Sequence, residues 1–182
     1  ANTVPDSFLF AVKASRYITH MKKLKDPREP VRNFLQEAGK LGKKLGPVIF
    51  QLPPRWRINP GRLENFLDQL PENLQTAFEF RDNTWWDDTI YRILEEAGAA
   101  FCIYHLAGEQ TPRRITGDFV YIRLHGPSGA YQGLYSKQDL SGWAGAASSW
   151  ARSGKDVYFF FDNDQNGYAA RNAMQLRAMT EF

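Results

Sequence analysis

The sequence predicts an α/β fold built on a parallel sheet, and three features of the chain predict it. Six short apolar runs recur along it, segments of helical period separate them, and every run ends in polar or charged residues. The runs span residues 8–14, 48–52, 76–80, 100–106, 119–124 and 157–161, and they are rich in Phe, Val, Ile and Tyr. They lack the polar alternation of a half-exposed strand. Strands buried on both faces, as in a parallel sheet covered by helices, read this way.

The intervening segments carry helical stripes. Residues 30–45 place Val31, Phe34, Leu35, Ala38 and Leu41 on one face, with Pro30 suited to a first turn. Residues 62–69, with Leu70 just beyond, align Leu63, Phe66, Leu67 and Leu70. Residues 89–97 align Ile90, Ile93, Leu94 and Ala97, and Gly98 makes a stop. Two further helices are predicted, over 140–152 with Trp143, Ala147 and Trp150, and over 168–179 with Ala170, Ala173, Met174 and Leu176. Strand and helix thus alternate about six times, the order of an α/β protein. No Gly-rich phosphate loop of the dinucleotide or P-loop kind follows any strand, and no low-complexity linker divides the chain. Residues 1–182 are expected to form one domain.

Composition narrows the functional classes. No apolar run approaches the roughly 20 residues of a membrane helix, and no signal-peptide pattern opens the chain. The single cysteine, Cys102, excludes an internal disulfide and a multi-thiolate metal site, so a cytoplasmic setting is expected. The first residue is Ala, with only seven residues before the first strand, which suggests that something precedes this sequence. Charge is uneven. Residues 1–57 carry twelve Lys and Arg against four acids, and the remainder carries eleven against sixteen. A basic third beside an acidic remainder suits an anionic partner, nucleic acid included, although Lys40, Lys43 and Lys44 equally suit a solvated helix face.

The strand ends carry the candidate chemistry. They read Lys13-Ala14-Ser15, Gln51-Leu52, Glu79-Phe80-Arg81-Asp82, Tyr104-His105, Arg123-Leu124-His125-Gly126 and Asp162-Asn163-Asp164. Residues i and i+2 of a strand share a face, so Lys13 goes with Ser15, Glu79 with Arg81 and Arg123 with His125. Parallel strands bring such ends to one rim, where active sites of α/β barrels are built. Buried charges are costly unless paired, so either a ligand pocket or an internal ion network accounts for them. Lys13, Arg81 and Arg123 suit a phosphate or carboxylate, with Ser15, Gln51 and Asn163 as further ligand-binding groups. Glu79 and His125 are candidate proton-transfer residues, and Asp162 and Asp164 candidate ligands of a divalent metal. His105 suits a hydrogen-bonded histidine near the core. Trp85 and Trp86 suit either ring stacking on a ligand or packing beneath their loop. Residues 18–25 form a basic loop that suits a lid or a phosphate-tracking arm.

Five segments, in order, give the sequence a specific likeness. They are residues 10–20 (FAVKASRYITH), residues 46–54 (GPVIFQLPP), Glu79-Phe80-Arg81 with Trp85, residues 121–126 (YIRLHG), and residues 158–164 (YFFFDND) leading to Gly167, Asn172 and Ala173. On these the chain resembles the YecE-like family, domain of unknown function 72. The resemblance implies a TIM-barrel-like (β/α) barrel with a polar pocket at the strand C-termini. It further implies that six of eight β-α units are present and that about two N-terminal units, with their own polar strand ends, are not. Asp82 stands where many family members carry His. Likeness of the family's barrel to metal-dependent endonucleases points toward phosphoester or nucleic-acid chemistry.

The expected function is therefore an enzyme-like pocket for an anionic, phosphate-containing ligand, with metal-assisted hydrolysis as its chemistry. Two alternatives stand beside it: a non-catalytic nucleic-acid-binding module, and a sugar-processing barrel using Trp85 as platform and Glu79 as acid/base.

Overall fold

A computed structural model of the chain describes residues 3–180, and its contacts cluster into two compact units, Ala1–Ala100 and Phe101–Phe182. In the first unit β1 (Phe10–Lys13), β2 (Leu45–Leu52) and β3 (Thr76–Phe80) run parallel with β2 in the middle. Register pairs Lys13 with Ile49 and Gln51 with Glu79. Val48, Phe50 and Leu52 alternate with Ile49 and Gln51 along β2, which sorts them onto two faces.

The aromatic contacts identify the helix-covered face. Phe50 meets Phe34 of α1 (Arg28–Ala38) and Phe66 of α2 (Pro60–Leu67), and stacks on Phe78 at 5.3 Å. Phe78 continues to Phe80, which stacks on Trp85 at 4.9 Å. Each such ring is worth about 1.5–3 kcal/mol on burial, with roughly 0.5–1.5 kcal/mol more per well-oriented aromatic pair. The other face is left to Lys13, Ile49, Gln51, Ala77 and Glu79.

Helix ends follow local chemistry. Asn59 Oδ1 accepts the Arg62 N–H at 3.0 Å with Pro60 in the first turn, so α2 starts two residues before the stripe predicted. Asp87 caps α3 (Asp88–Glu96) through the Thr89 N–H at 2.8 Å. Gly98, at φ +64°, ends it as expected: its N–H reaches Glu95 O and the Ala99 N–H reaches Leu94 O, which satisfies two orphan carbonyls. The helix predicted over 30–45 is shorter than its stripe. It ends at Ala38 and passes into tight 3₁₀ turns over Gly39–Lys44, broken by Gly42 at φ 55°, ψ −129°. Pro30 is its third residue, not its first.

In the second unit β4 (Ala100–Leu106), β6 (Phe119–Leu124) and β7 (Asp156–Phe161) are parallel with β6 in the middle, and a short β5 (Glu109–Gln110) folds back antiparallel on β4. Glu109-Gln110 was not predicted as a strand, because two exposed polar residues carry no apolar signal. Helix α4 (Lys137–Arg152) sets Trp143 edge-on against Phe159 at 5.9 Å, and α5 (Tyr168–Thr180) packs beside α4. A reciprocal cap opens α4: Ser136 Oγ accepts the Asp139 N–H at 3.1 Å while Asp139 Oδ2 accepts the Ser136 N–H at 3.1 Å. Phe159 and Phe161 face the helices. Tyr121, Arg123, Tyr158 and Phe160 therefore share the opposite face, where Tyr121 stacks on Phe160 at 4.8 Å. Among the described residues no helix is long and apolar enough to cross a membrane.

The fully buried ring at the meeting point of α1, α2, β2 and β3 makes the first unit testable. Phe50→Ala is expected to destabilise the fold by about 3–5 kcal/mol in denaturant unfolding; a loss under 1 kcal/mol would show that this cluster does not organise the unit.

Candidate functional site

Each unit carries one set of charged strand-end residues, on the face turned away from its helices. In the first unit Lys13 closes β1 and its ammonium donates to Gln51 Oε1 at 2.6 Å. Gln51 lies opposite Glu79 in the β2–β3 register. Glu79 is fully buried and forms an ion pair with the Nε of Arg81, itself only 8% exposed. A buried carboxylate is tolerated because the guanidinium beside it offsets lost hydration; deleting one partner of such a pair typically costs about 3–5 kcal/mol. Ser15 lies past the strand end, exposed, with Oγ accepting the Tyr17 N–H at 3.1 Å. The structure thus joins Lys13 to Gln51 and Glu79 to Arg81, while Ser15 shapes the following turn.

In the second unit Arg123, His125 and Asp162 meet at a single carboxylate oxygen. Asp162 Oδ2 accepts the Arg123 guanidinium, and His125 Nδ1 approaches the same oxygen at 3.0 Å. Strand geometry explains the meeting: Arg123 and His125 are two residues apart, and the Asp162 N–H bonds Leu124 O at 2.9 Å, which holds the two strand ends side by side. His125 is wholly buried between two tyrosine rings, Tyr104 at 6.1 Å and Tyr131 at 5.5 Å, both edge-on. Asp162 keeps 28% of its side chain exposed and Arg123 13%.

Asn163 lies on the helix side. Its amide donates to Gly133 O at 2.8 Å and to Asn172 Oδ1 at 3.0 Å. Asn172 also accepts the Tyr135 N–H and donates to Tyr135 O, so the two amides pin the loop that follows β6. Gly126 is required in that loop: at φ +130° a Cβ there would lie 2.2 Å from Gly129 O. Asp164 is exposed and precedes the 3₁₀ turn Gln165–Gly167. Among the described residues no three His, Cys, Asp or Glu side chains gather as a metal-ligand set, and Asp162 and Asp164 with His125 do not make one.

Three residues singled out in the sequence have packing roles. Trp85 is buried under its loop against Phe80 and Trp56. Asp82 caps the 3₁₀ turn Asn83–Trp85 by accepting from the Thr84 N–H at 3.1 Å and its hydroxyl at 2.6 Å. His105 is bonded through Nδ1 to Tyr135 Oη at 3.1 Å. That hydroxyl also accepts the Gly126 N–H at 3.0 Å. Burial pushes the Tyr135 phenol far up. Burial likewise pushes His105 down from the ordinary imidazole value, partly opposed by Asp139. Tyr135 and Asn172 had no such roles in the sequence reading, because their partners lie up to 37 residues away.

The lowered His105 value sets a sign for pH dependence. Unfolded chains bind this proton near pH 6.5 while the folded chain resists it, so stability is intact above that value and falls as pH drops below it. His105→Asn is expected to flatten the loss of stability between about pH 6.5 and 5 in urea titrations. An unchanged slope would remove His105 as a cause.

Comparison with known proteins follows the same architecture. A DUF72 protein from Thermotoga maritima has a solved structure that superposes with a TM-score of 0.90 at 28% identity, covering 100% of this chain and 76% of that one. Two structures of a DUF72 protein from Enterococcus faecalis match at TM-scores of 0.85 and 0.83, with 19% and 21% identity, covering 100% and 97% of this chain and 77% and 80% of theirs. UPF0759 protein YunF of Bacillus subtilis is 26% identical over 98% of this chain and 75% of its own length. The family described as "Protein of unknown function DUF72" matches residues 1–182, and the chain belongs to it.

Proposed function

We propose that the chain binds a phosphate-containing anion and that His125 transfers a proton during phosphoester hydrolysis. The observation that carries this reading is the convergence of Arg123 and fully buried His125 on one oxygen of Asp162, at the ends of adjacent parallel strands. Asp162 places a negative oxygen 3.0 Å from the imidazole. His125 then takes a proton from attacking water or returns one to the leaving oxygen. Arg123, whose guanidinium also bonds Asp162, supplies positive charge for phosphate oxygens. In the first unit Arg81 and Lys13 are the anion-binding groups, and Glu79 sets the guanidinium of Arg81 instead of moving protons itself. The donor set among the described residues does not by itself fit a resident metal ion, so the proposed chemistry routes no step through one. The parallel β-α repeats within each unit support a (β/α) barrel type of fold. A cytoplasmic setting is supported by the single buried cysteine.

Nucleic-acid binding without catalysis is a second reading, favoured by the twelve basic residues among the first 57. Sugar processing has less support, since Trp85 offers no open ring face and Glu79 is committed to Arg81.

Bis(4-nitrophenyl) phosphate is the direct probe. Wild-type protein is expected to hydrolyse it, and His125→Gln, checked for folding by circular dichroism, to lose about 10²–10⁴-fold in rate. A folded His125→Gln with wild-type turnover, or a wild-type protein that neither binds phosphate nor cleaves the diester, would refute the proposal.

A further inference from the structure

His125 is wholly buried, yet the function proposed above needs it to meet a phosphate ester. Two tyrosine rings flank it edge-on. Tyr104 is itself buried in β4, so that side leads into the core. Tyr131 is different. It is 52% exposed, and its ring lies 5.5 Å from the imidazole at an angle of 84°. Water reaches one side of this ring, and His125 lies against the other.

The loop that carries Tyr131 is a flap between two pinned glycines. Gly126 and Gly133 both have positive φ, +130° and +83°. The Gly126 N–H donates to Tyr135 Oη at 3.0 Å, and Gly133 O accepts from the Asn163 amide at 2.8 Å. The ends lie close together: a Cβ on Gly126 would meet Gln132 O at 2.4 Å, and one on Gly133 would meet Pro127 at 3.2 Å. Compact surface loops with neighbouring ends are frequently functional. Between the pins Ser128, Ala130, Tyr131 and Gln132 are exposed. The flap is tied down by the Tyr131 N–H on His125 O at 2.6 Å and folded on itself by the Gln132 N–H on Gly129 O at 3.3 Å. Tyr131 holds a φ of +62°, which suits glycine and strains a tyrosine.

We infer that Tyr131 is the gate of His125: its ring covers the imidazole while the flap is closed and swings into solvent, about Gly126 and Gly133, to admit a phosphate ester. Opening is local. The ring already stands half in water, the backbone groups it frees become hydrated, and the left-handed tyrosine relaxes. Closure returns the ring over the site and keeps bulk water from the imidazole, as active-site lids do. The pins outside the flap, from Tyr135 and Asn163, stay in place throughout. The inference deepens the function proposed above and rests on His125 being the group that substrate must reach. It is read by accessibility, not turnover.

Carbethoxylation by diethyl pyrocarbonate, located by peptide mass mapping, tests it on the whole protein. The half-exposed His20 and His105 serve as internal references. In the wild type His125 should react more slowly than either. Tyr131→Gly removes the ring while suiting the left-handed backbone, so it is expected to fold and to raise the His125 rate about tenfold with the references unchanged. Tyr131→Phe keeps the ring and should keep the protection. The slow wild-type reaction should be indifferent to low urea, because opening a loop exposes little surface. A His125 as protected in Tyr131→Gly as in the wild type overturns the gate. So does a wild-type rate that climbs with urea in step with global unfolding. Retained diester hydrolysis beside either result would sink this inference and leave the His125 reading intact. A wild-type protein gated in this way that neither binds phosphate nor cleaves the diester would refute that reading and leave the gate standing.

Discussion

The structure depends on carboxylates held by guanidinium groups at the ends of parallel strands. Glu79 is wholly buried against Arg81, and Asp162 is shared by Arg123 and His125. Burying the Glu79 carboxylate without its guanidinium partner would cost several kcal/mol, on the order of 3–5, whereas Asp162 keeps part of its hydration. The pairs also fix geometry. Because strand residues two apart share a face, a Glu-x-Arg or Arg-x-His at a strand end sets both groups in the same direction without further help.

The opposite face supplies the rigidity that such pairs need. In the first unit the rings of Phe34, Phe50, Phe66 and Phe78 interlock between sheet and helices, and in the second Trp143 and Phe159 do the same. Close-packed aromatics tolerate little movement, so the strand ends and their charges are held in place. In the second unit a loop network adds to this. Tyr135, Asn163 and Asn172 anchor the chain after β6, and that loop carries Tyr131 onto the ring of His125. Tyr131 takes a left-handed φ of 62°, a conformation that an unconstrained tyrosine would leave.

Much of this was legible in the sequence, for physical reasons. Strands buried on both faces announce themselves as unbroken apolar runs, so 76–80, 100–106 and 119–124 agree with the strands residue for residue. The i, i+2 logic also anticipated Glu79 with Arg81 and Arg123 with His125 on shared faces. Three things were hidden. The stripe over 30–45 continued past the true end of α1 because Leu41 kept the period while Gly42 broke the backbone. The π turn at 17–21 has no apolar period to reveal it. Asn163 reads as a polar strand-end residue like Asp162, yet the alternation that turns Asp162 away from the helices turns Asn163 toward them. Its role rests on Gly133 and Asn172, which no local pattern connects to it.

The central claim is that the Asp162 carboxylate gathers Arg123 and His125 at the ends of adjacent strands. A double-mutant cycle in urea unfolding tests it most directly. The account predicts that Asp162→Asn and Arg123→Met each destabilise the fold and that their effects couple by about 1 kcal/mol. Strictly additive losses would contradict it.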